Sequence, residues 1–214
     1  MTKTHEDHAR KMEAAMKLYL FPGYTAFRSR MISETEIATT DVILDFGCGV
    51  GLLEDFIVPR LKGASGCVVG VDIGRELIGI ARSRFLANDR CEFSVIDQSG
   101  ELPFAECSFD LIVTSLVFHL LTQKQKETVL KEFRRILKPG GRVVMAEIGQ
   151  PTALYGRWIK FLTLRYWSRI WPYVINSKES FEGRLPGVIR RAGFGTVRTI
   201  VKLRGYIDLL RCSV

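Results

Sequence analysis

Apolar and polar positions alternate along this chain with two distinct rhythms. Between about residue 40 and residue 150 there are short apolar runs, each followed by a stretch with apolar residues at helical spacing. Val42–Phe46 predicts a first strand and Leu52–Leu61 a helix. Gly66–Asp72 predicts a second strand and Arg75–Leu86 a helix with Leu77, Ile78, Ala81 and Phe85 on one face. Cys91–Ile96 and Phe109–Thr114 predict strands three and four. Lys124–Leu137 predicts a helix closed by Lys138-Pro139-Gly140-Gly141, and Arg142–Glu147 a fifth strand. Short apolar strands separated by amphipathic helices predict a parallel sheet covered on both faces.

The flanks follow other patterns. Before the repeat, His5–Leu20 carries Met12, Ala15, Met16, Tyr19 and Leu20 at helical spacing. Phe21-Pro22-Gly23 breaks it, and Tyr24–Ile37 predicts a second helix. Residues 1–40 therefore read as an N-terminal helical cover, in which Tyr19 or Tyr24 would pack or line a pocket. After the repeat, Ser177–Ala192 predicts a helical region interrupted by Pro186. Thr196–Leu203 and Tyr206–Arg211, separated by Arg204-Gly205 alone, predict a terminal hairpin. The expectation is one domain over residues 1–214: cover 1–40, core 41–150, a basic aromatic segment 151–176, then helix and hairpin 177–214. The fold class is α/β, a Rossmann-like, seven-stranded, mostly parallel sheet ending in an antiparallel hairpin.

Charge and cysteines refine this picture. The formal net charge is +8, but residues 151–214 hold 12 Lys/Arg against 3 Asp/Glu, so the whole basic excess lies there. Such asymmetry bears on partners rather than on fold. Five scattered cysteines, none in a C-x-x-C pair, predict buried reduced thiols of a cytoplasmic protein. The polar start lacks a signal-peptide core, and no apolar run reaches the ~20 residues of a membrane span. His5 and His8 have metal-compatible spacing but no further ligand nearby, so no metal site is expected.

The stretch Val42-Ile43-Leu44-Asp45-Phe46-Gly47-Cys48-Gly49-Val50-Gly51 carries the candidate chemistry. Glycines at every second position after a buried strand suggest a loop whose backbone, N–H groups included, closely approaches a ligand. The bland alternative is a tight turn with no ligand, though an ordinary connection needs one glycine rather than three. Asp45, Asp72 and Asp97 all fall at strand ends, where ligands bind in open sheets. An acid ending strand two suits ribose hydroxyls. A dinucleotide fingerprint reads G-x-G-x-x-G, whereas Leu52 stands where its third glycine belongs. The loop thus suits a smaller amine- and carboxylate-bearing group better than a pyrophosphate, leaving a nicotinamide oxidoreductase as a remote alternative.

VILDFGCGVG, VVGVDIG, ELPF with FDLIVTSLVFHLL, and LKPGGRVVMAE, in that order, resemble the class I S-adenosylmethionine-dependent methyltransferases. LPGVIRRAGF and AGFGTVRTIVKLRGYIDLLR are similar to the end of the ubiquinone/menaquinone methyltransferase family. The resemblance implies that Asp45, Gly47, Cys48 and Gly49 hold the methionine end of S-adenosyl-L-methionine. It implies Asp72 on the ribose hydroxyls, Ile73 on the adenine, Asp97 and Gln98 at the adenine amine, and Ser115 facing the methionine amine. S-adenosyl-L-homocysteine would be the product. His119 is the one histidine in range of the chemistry, either as a general base or as a packing residue.

The segment Tyr155–Trp171 holds all three tryptophans. On a helical wheel Arg157, Arg165, Ser168 and Arg169 share one side, opposite an arc of Ile159, Leu162, Tyr166, Trp167, Ile170 and Trp171, with Lys160 and Thr163 interrupting that arc. Such a helix suits an anionic membrane surface or a lid over a lipophilic substrate; packing of the wide face onto the domain is the plain alternative. The expected acceptor is a small, lipophilic molecule such as a quinone precursor, with a phospholipid-headgroup N-methyltransferase as the alternative. A non-catalytic S-adenosylmethionine-binding subunit is the alternative from another class. Strand four ends Thr114-Ser115-Leu116-Val117, without the Asn/Asp-Pro-Pro-aromatic box of amino-methylating enzymes, which argues against nucleic acid.

Overall fold

A computed structural model describes residues 24–63, 65–167 and 176–214. The helix expected over His5–Leu20, with Tyr19, His5 and His8, lies outside the described residues, as do Ser168, Arg169, Ile170 and Trp171.

Seven strands form one sheet: β1 (Val42–Phe46), β2 (Cys67–Asp72), β3 (Cys91–Val95), β4 (Phe109–Ser115), β5 (Leu137–Ile148), β6 (Thr196–Leu203) and β7 (Ile207–Ser213). Their order is β3-β2-β1-β4-β5-β7-β6, mostly parallel, with an antiparallel C-terminal pair. The strand order reverses between β1 and β4, the switch point at which open α/β sheets bind ligands beyond the strand ends. The chain divides into two compact units, residues 1–98 with 109–113, and residues 99–108 with 114–214.

In the first unit β1 pairs parallel with β2 and β2 with β3; Asp45 lies opposite Gly70 and Asp72 opposite Val95. Ile43, Leu44, Val68 and Val71 are fully buried, as their apolar runs require. The helix after β1 is shorter than the apolar spacing predicts. It comprises α2 (Glu54–Ile57) and a 3₁₀ turn, Val58–Arg60, because Pro59 cannot continue the α-helical ladder. α1 (Tyr24–Ser33) also stops short of Ile37, and α3 (Arg75–Arg84) follows β2.

In the second unit α4 (Gln123–Ile136) opens on a full capping box between Thr122 and Gln125, and buries Val129, Leu130, Phe133 and Ile136. α5 (Leu154–Leu162) continues into a π-helical turn, Thr163–Trp167. α6 (Ser177–Phe181) and α7 (Leu185–Arg191) replace the single interrupted helix, and Pro186 stands in the first turn of α7, where its missing N–H costs nothing. The terminal hairpin forms, but its second strand starts at Ile207 instead of Tyr206, so Arg204, Gly205 and Tyr206 make the turn. Arg204 and Gly205 both take positive φ, 51° and 70°, which suits the twist of hairpin strands. β7, not β6, pairs with β5, so the hairpin folds back to put its last strand inside the sheet.

The cysteines are all free, yet only Cys48 and Cys212 are buried; Cys107 is exposed. The expectation of uniformly buried thiols is corrected there, because Cys107 sits at a turn with φ 53° instead of inside an apolar run.

Candidate active site

The glycine loop after β1 is folded onto β2. Gly47 and Cys48 both donate their N–H groups to Val71 O, at 2.8 and 3.1 Å, and Gly51 donates to Cys48 O at 3.0 Å. Gly49 donates to Asp72 Oδ2 at 2.9 Å. Gly47, Gly49 and Gly51 take φ of 77°, 59° and 75°, which a side chain would strain. The expectation that the loop's N–H groups face a ligand is therefore corrected: at 47, 48, 49 and 51 they are satisfied within the protein. A pyrophosphate would need those donors, so the arrangement disfavours a dinucleotide. Arg84 braces the loop from its other side, donating to Val50 O at 2.7 Å and Gly51 O at 2.5 Å while holding Asp55 through two hydrogen bonds.

Cys48 turns its side chain into the core among Ile78, Ala81 and Phe93. It can serve a ligand only through its backbone. Gly70 makes room for it, since a Cβ there would lie 2.9 Å from the Cys48 sulfur and 2.6 Å from the Phe93 ring.

Above the loop the site is acidic. Asp72 Oδ1 accepts from Gly74 N–H at 2.8 Å, so each Asp72 oxygen takes one backbone donor and retains lone-pair capacity for another. Ile96 N–H donates to Asp72 O at 3.0 Å, which brings the end of β3 beside Asp72. Asp97 and Gln98 follow there, both exposed, and Ile73 is 54% exposed, an unusual solvent face for an isoleucine. Asp45, Gly47, Gly49, Asp72, Ile73, Asp97 and Gln98 thus converge at the carboxyl ends of β1, β2 and β3.

Pattern reading missed Glu54. Asp45 and Glu54 are both fully buried, and none of their four carboxylate oxygens accepts from a protein donor. Burial holds the Asp45 carboxyl well above the usual carboxylate range, and the neighbouring Glu54 and Asp72 charges add to this. Burial likewise pushes Glu54 up to about 7, against the pull of its own backbone N–H and of Arg84. Two acceptors this close are reconciled by one proton held between them. An acid within the apolar run Leu52–Val58 was the available signal.

In the second unit Ser115, half-buried, ends β4. Leu116 follows at a strained φ of 58°, and its N–H donates to Ala146 O at 2.8 Å. That bend leads into a 3₁₀ turn, Phe118–Leu120, with Phe118 fully buried against Phe133. His119 Nδ1 lies 2.7 Å from Glu147 Oε1. Glu147 was the second residue that pattern reading missed, although it is an acid at a strand end like Asp45 and Asp72.

Residues 43–141 match the family described as Methyltransferase domain. Arsenite methyltransferase of Halobacterium salinarum is 34% identical over 116 residues, 53% of this chain; the chain spans only 29% of that relative's length. Demethylmenaquinone methyltransferase of Staphylococcus aureus is 24% identical over 214 residues, covering 97% of this chain and 85% of the relative. Among solved structures, a SAM-dependent methyltransferase from Aquifex aeolicus superposes with a TM-score of 0.66 at 17% identity, covering 96% of each chain. Phosphoethanolamine N-methyltransferase 2 of Haemonchus contortus, in complex with S-adenosyl-L-methionine, reaches 0.60 at 20% identity, over 82% of this chain and 38% of that one. Fold, site and matches support a class I S-adenosylmethionine-dependent methyltransferase, an enzyme, with residues 43–141 as its methyltransferase domain. Its cofactor is S-adenosyl-L-methionine.

The residues present fit that cofactor. It carries positive charge at its sulfonium and ammonium groups, and the orphaned, buried acceptors of Asp45 and Glu54 suit a cation while excluding a phosphate. Asp72 retains acceptor capacity for a diol, and Ile73 offers an exposed apolar surface to a flat base.

Proposed function

We propose that the protein methylates a small lipophilic acceptor of the quinone-precursor type. The observation that carries this reading is the length of the likeness to demethylmenaquinone methyltransferase. It extends over 97% of the chain, well beyond the 43–141 core. When bound, the cofactor supplies a methyl group on a positively charged sulfur that departs as a neutral thioether. The chain's own work is then to bind, to orient and to exclude water. We assign Asp45, Gly47, Gly49 and the Cys48 backbone to the methionine end, Asp72 and Ile73 to the adenosine, and Asp97 and Gln98 to the adenine amine. We assign Ser115, at the end of β4, to the methionine amine.

The acceptor side includes α5. Its side chains Leu154, Tyr155, Trp158, Phe161 and Leu162 are exposed, with Trp158 at 64%, while Gly156 is the position it buries and Thr163 is buried at the start of the π-helical turn. The helix seats Gly156 on the hairpin turn, where a Cβ would lie 2.9 Å from Tyr206 Cβ. Of the arc expected from spacing, Ile159 is half-buried and Leu162 exposed, so the outward apolar face is made largely by other residues, Leu154, Tyr155, Trp158 and Phe161. Arg157 and Lys160 lie beside those aromatics, and Arg165 follows in the π-helical turn. We assign this face to an anionic membrane surface from which a lipophilic acceptor is drawn; no described helix is long and apolar enough to cross a membrane.

The test is direct. Purified protein with labelled S-adenosyl-L-methionine is offered a short-chain demethylmenaquinol or phosphatidylethanolamine, and products are identified by mass spectrometry. Label in the quinol supports the reading; label in the headgroup favours the second one, a phospholipid N-methyltransferase, to which the basic face of α5 also lends support.

A further inference from the structure

The Glu147 carboxylate is anchored before it meets His119. Its Oε1 accepts the N–H of Ile148 at 2.7 Å, and its Oε2 accepts the backbone N–H of His119 at 3.2 Å. Oε1 also lies 2.7 Å from His119 Nδ1. The glutamate side chain is 2% exposed, whereas the histidine side chain keeps 13%. A carboxylate offers acceptors only, so the proton of a neutral imidazole must sit on Nδ1, and Nε2 is left with its lone pair. The bend that brings His119 back over the end of β5 runs through Leu116 in the left-handed region, strain that surrounding packing must hold in place. His119 lies just beyond the carboxyl end of β4, and Glu147 is the next-to-last residue of β5, the end at which open α/β sheets bind ligands.

From this juxtaposition we infer that Glu147 is a positioning residue, which fixes His119 as the proton acceptor for the methyl acceptor. The inference rests on the reading above, in which the acceptor is a quinol that gives up a proton. In that step the quinol O–H bond breaks and its electron pair stays on the quinol, raising the ring's nucleophilicity. The proton bonds to Nε2, and the imidazolium so formed faces the Glu147 carboxylate until water removes the proton.

Two measurements test this on the full chain. The first follows the side-chain ¹⁵N signals of labelled histidine in the wild type and in Glu147→Gln, with the His119→Ala spectrum identifying the His119 signals. We expect the Nδ1–H tautomer in the wild type and a shift toward Nε2–H in Glu147→Gln. The second uses a short-chain demethylmenaquinol with S-adenosyl-L-methionine. There Glu147→Gln lowers kcat by about 100-fold with KM little changed, and added imidazole restores turnover to His119→Ala. An Nε2–H tautomer in the wild type, an unchanged tautomer in Glu147→Gln, or wild-type turnover in both variants overturns the proposal. If the wild type leaves the quinol unmethylated, the acceptor reading falls, and the tautomer comparison alone upholds or overturns the pair.

Discussion

Gly49 donates its backbone N–H to the Asp72 carboxylate at 2.9 Å, so the acid ending β2 holds the glycine loop ending β1. Asp72 is thus a strut, and in the proposed function a ligand group as well. Asp72→Ala should weaken S-adenosyl-L-methionine binding by about 100-fold, the loss expected when two hydroxyls no longer meet a charged acceptor. It should also lower stability by about 1–3 kcal/mol, because the Gly49 and Gly74 donors lose their partner. Isothermal titration together with urea unfolding measures both. Unchanged affinity would mean that the ribose site lies elsewhere.

The proton held by Asp45 and Glu54 ties stability to pH. Glu54 is raised from 4.5 to about 7, so folding takes up protons. The associated stability is fully present below pH 4.5 and is lost as pH rises through 7. For Glu54 alone the difference is on the order of 3 kcal/mol. Glu54→Gln removes this titration. Relative to the wild type, its melting temperature should therefore gain as pH rises from 5 to 8. A wild-type-minus-variant difference that stays flat over that range would sink the argument. The same variant should bind the cationic S-adenosyl-L-methionine less tightly, with a smaller loss for the uncharged sulfur of S-adenosyl-L-homocysteine.

Gly70 lies beneath the loop. In Gly70→Ala the new methyl would sit 2.6 Å from the Phe93 ring and 2.9 Å from the Cys48 sulfur, both packed against α3. Overpacking of this kind costs about 1–3 kcal/mol. The displacement of Cys48 should also carry the loop with it, so cofactor affinity falls alongside stability. A variant as stable as the wild type in denaturant titration would show that this part of the core can yield.

The outward face of α5 predicts lipid binding. Vesicles containing anionic lipid should pellet the protein, less so in high salt. Trp158→Ala with Phe161→Ala should reduce pelleting at any salt, because those side chains are 64% and 53% exposed. Equal sedimentation with neutral vesicles in high salt would remove the electrostatic component.

The sheet and its loop were legible because apolar runs ending in acids, then glycines, admit few alternatives. β1 came out at its predicted bounds, and the hairpin was identified by the short break at Arg204-Gly205, though Tyr206 joins them in the turn. Other features were hidden by the same kind of pattern. Three glycines reveal that the backbone bends, but not whether its N–H groups turn outward to a ligand or inward to Val71 and Asp72. The apolar spacing over residues 155–171 identifies an amphipathic helix, and nothing in that spacing tells which face packs. Gly156 on Tyr206 decides that.

The amino-acid sequence by itself determined the strand–helix rhythm and the position of the acids at strand ends, since local propensity and periodicity act over a few residues; the cofactor class followed from the resemblance of its ordered motifs. Only the tertiary structure paired Asp45 with Glu54 and His119 with Glu147. Their charges and protons depend on which distant groups share a buried space, and burial is a property of the packed chain.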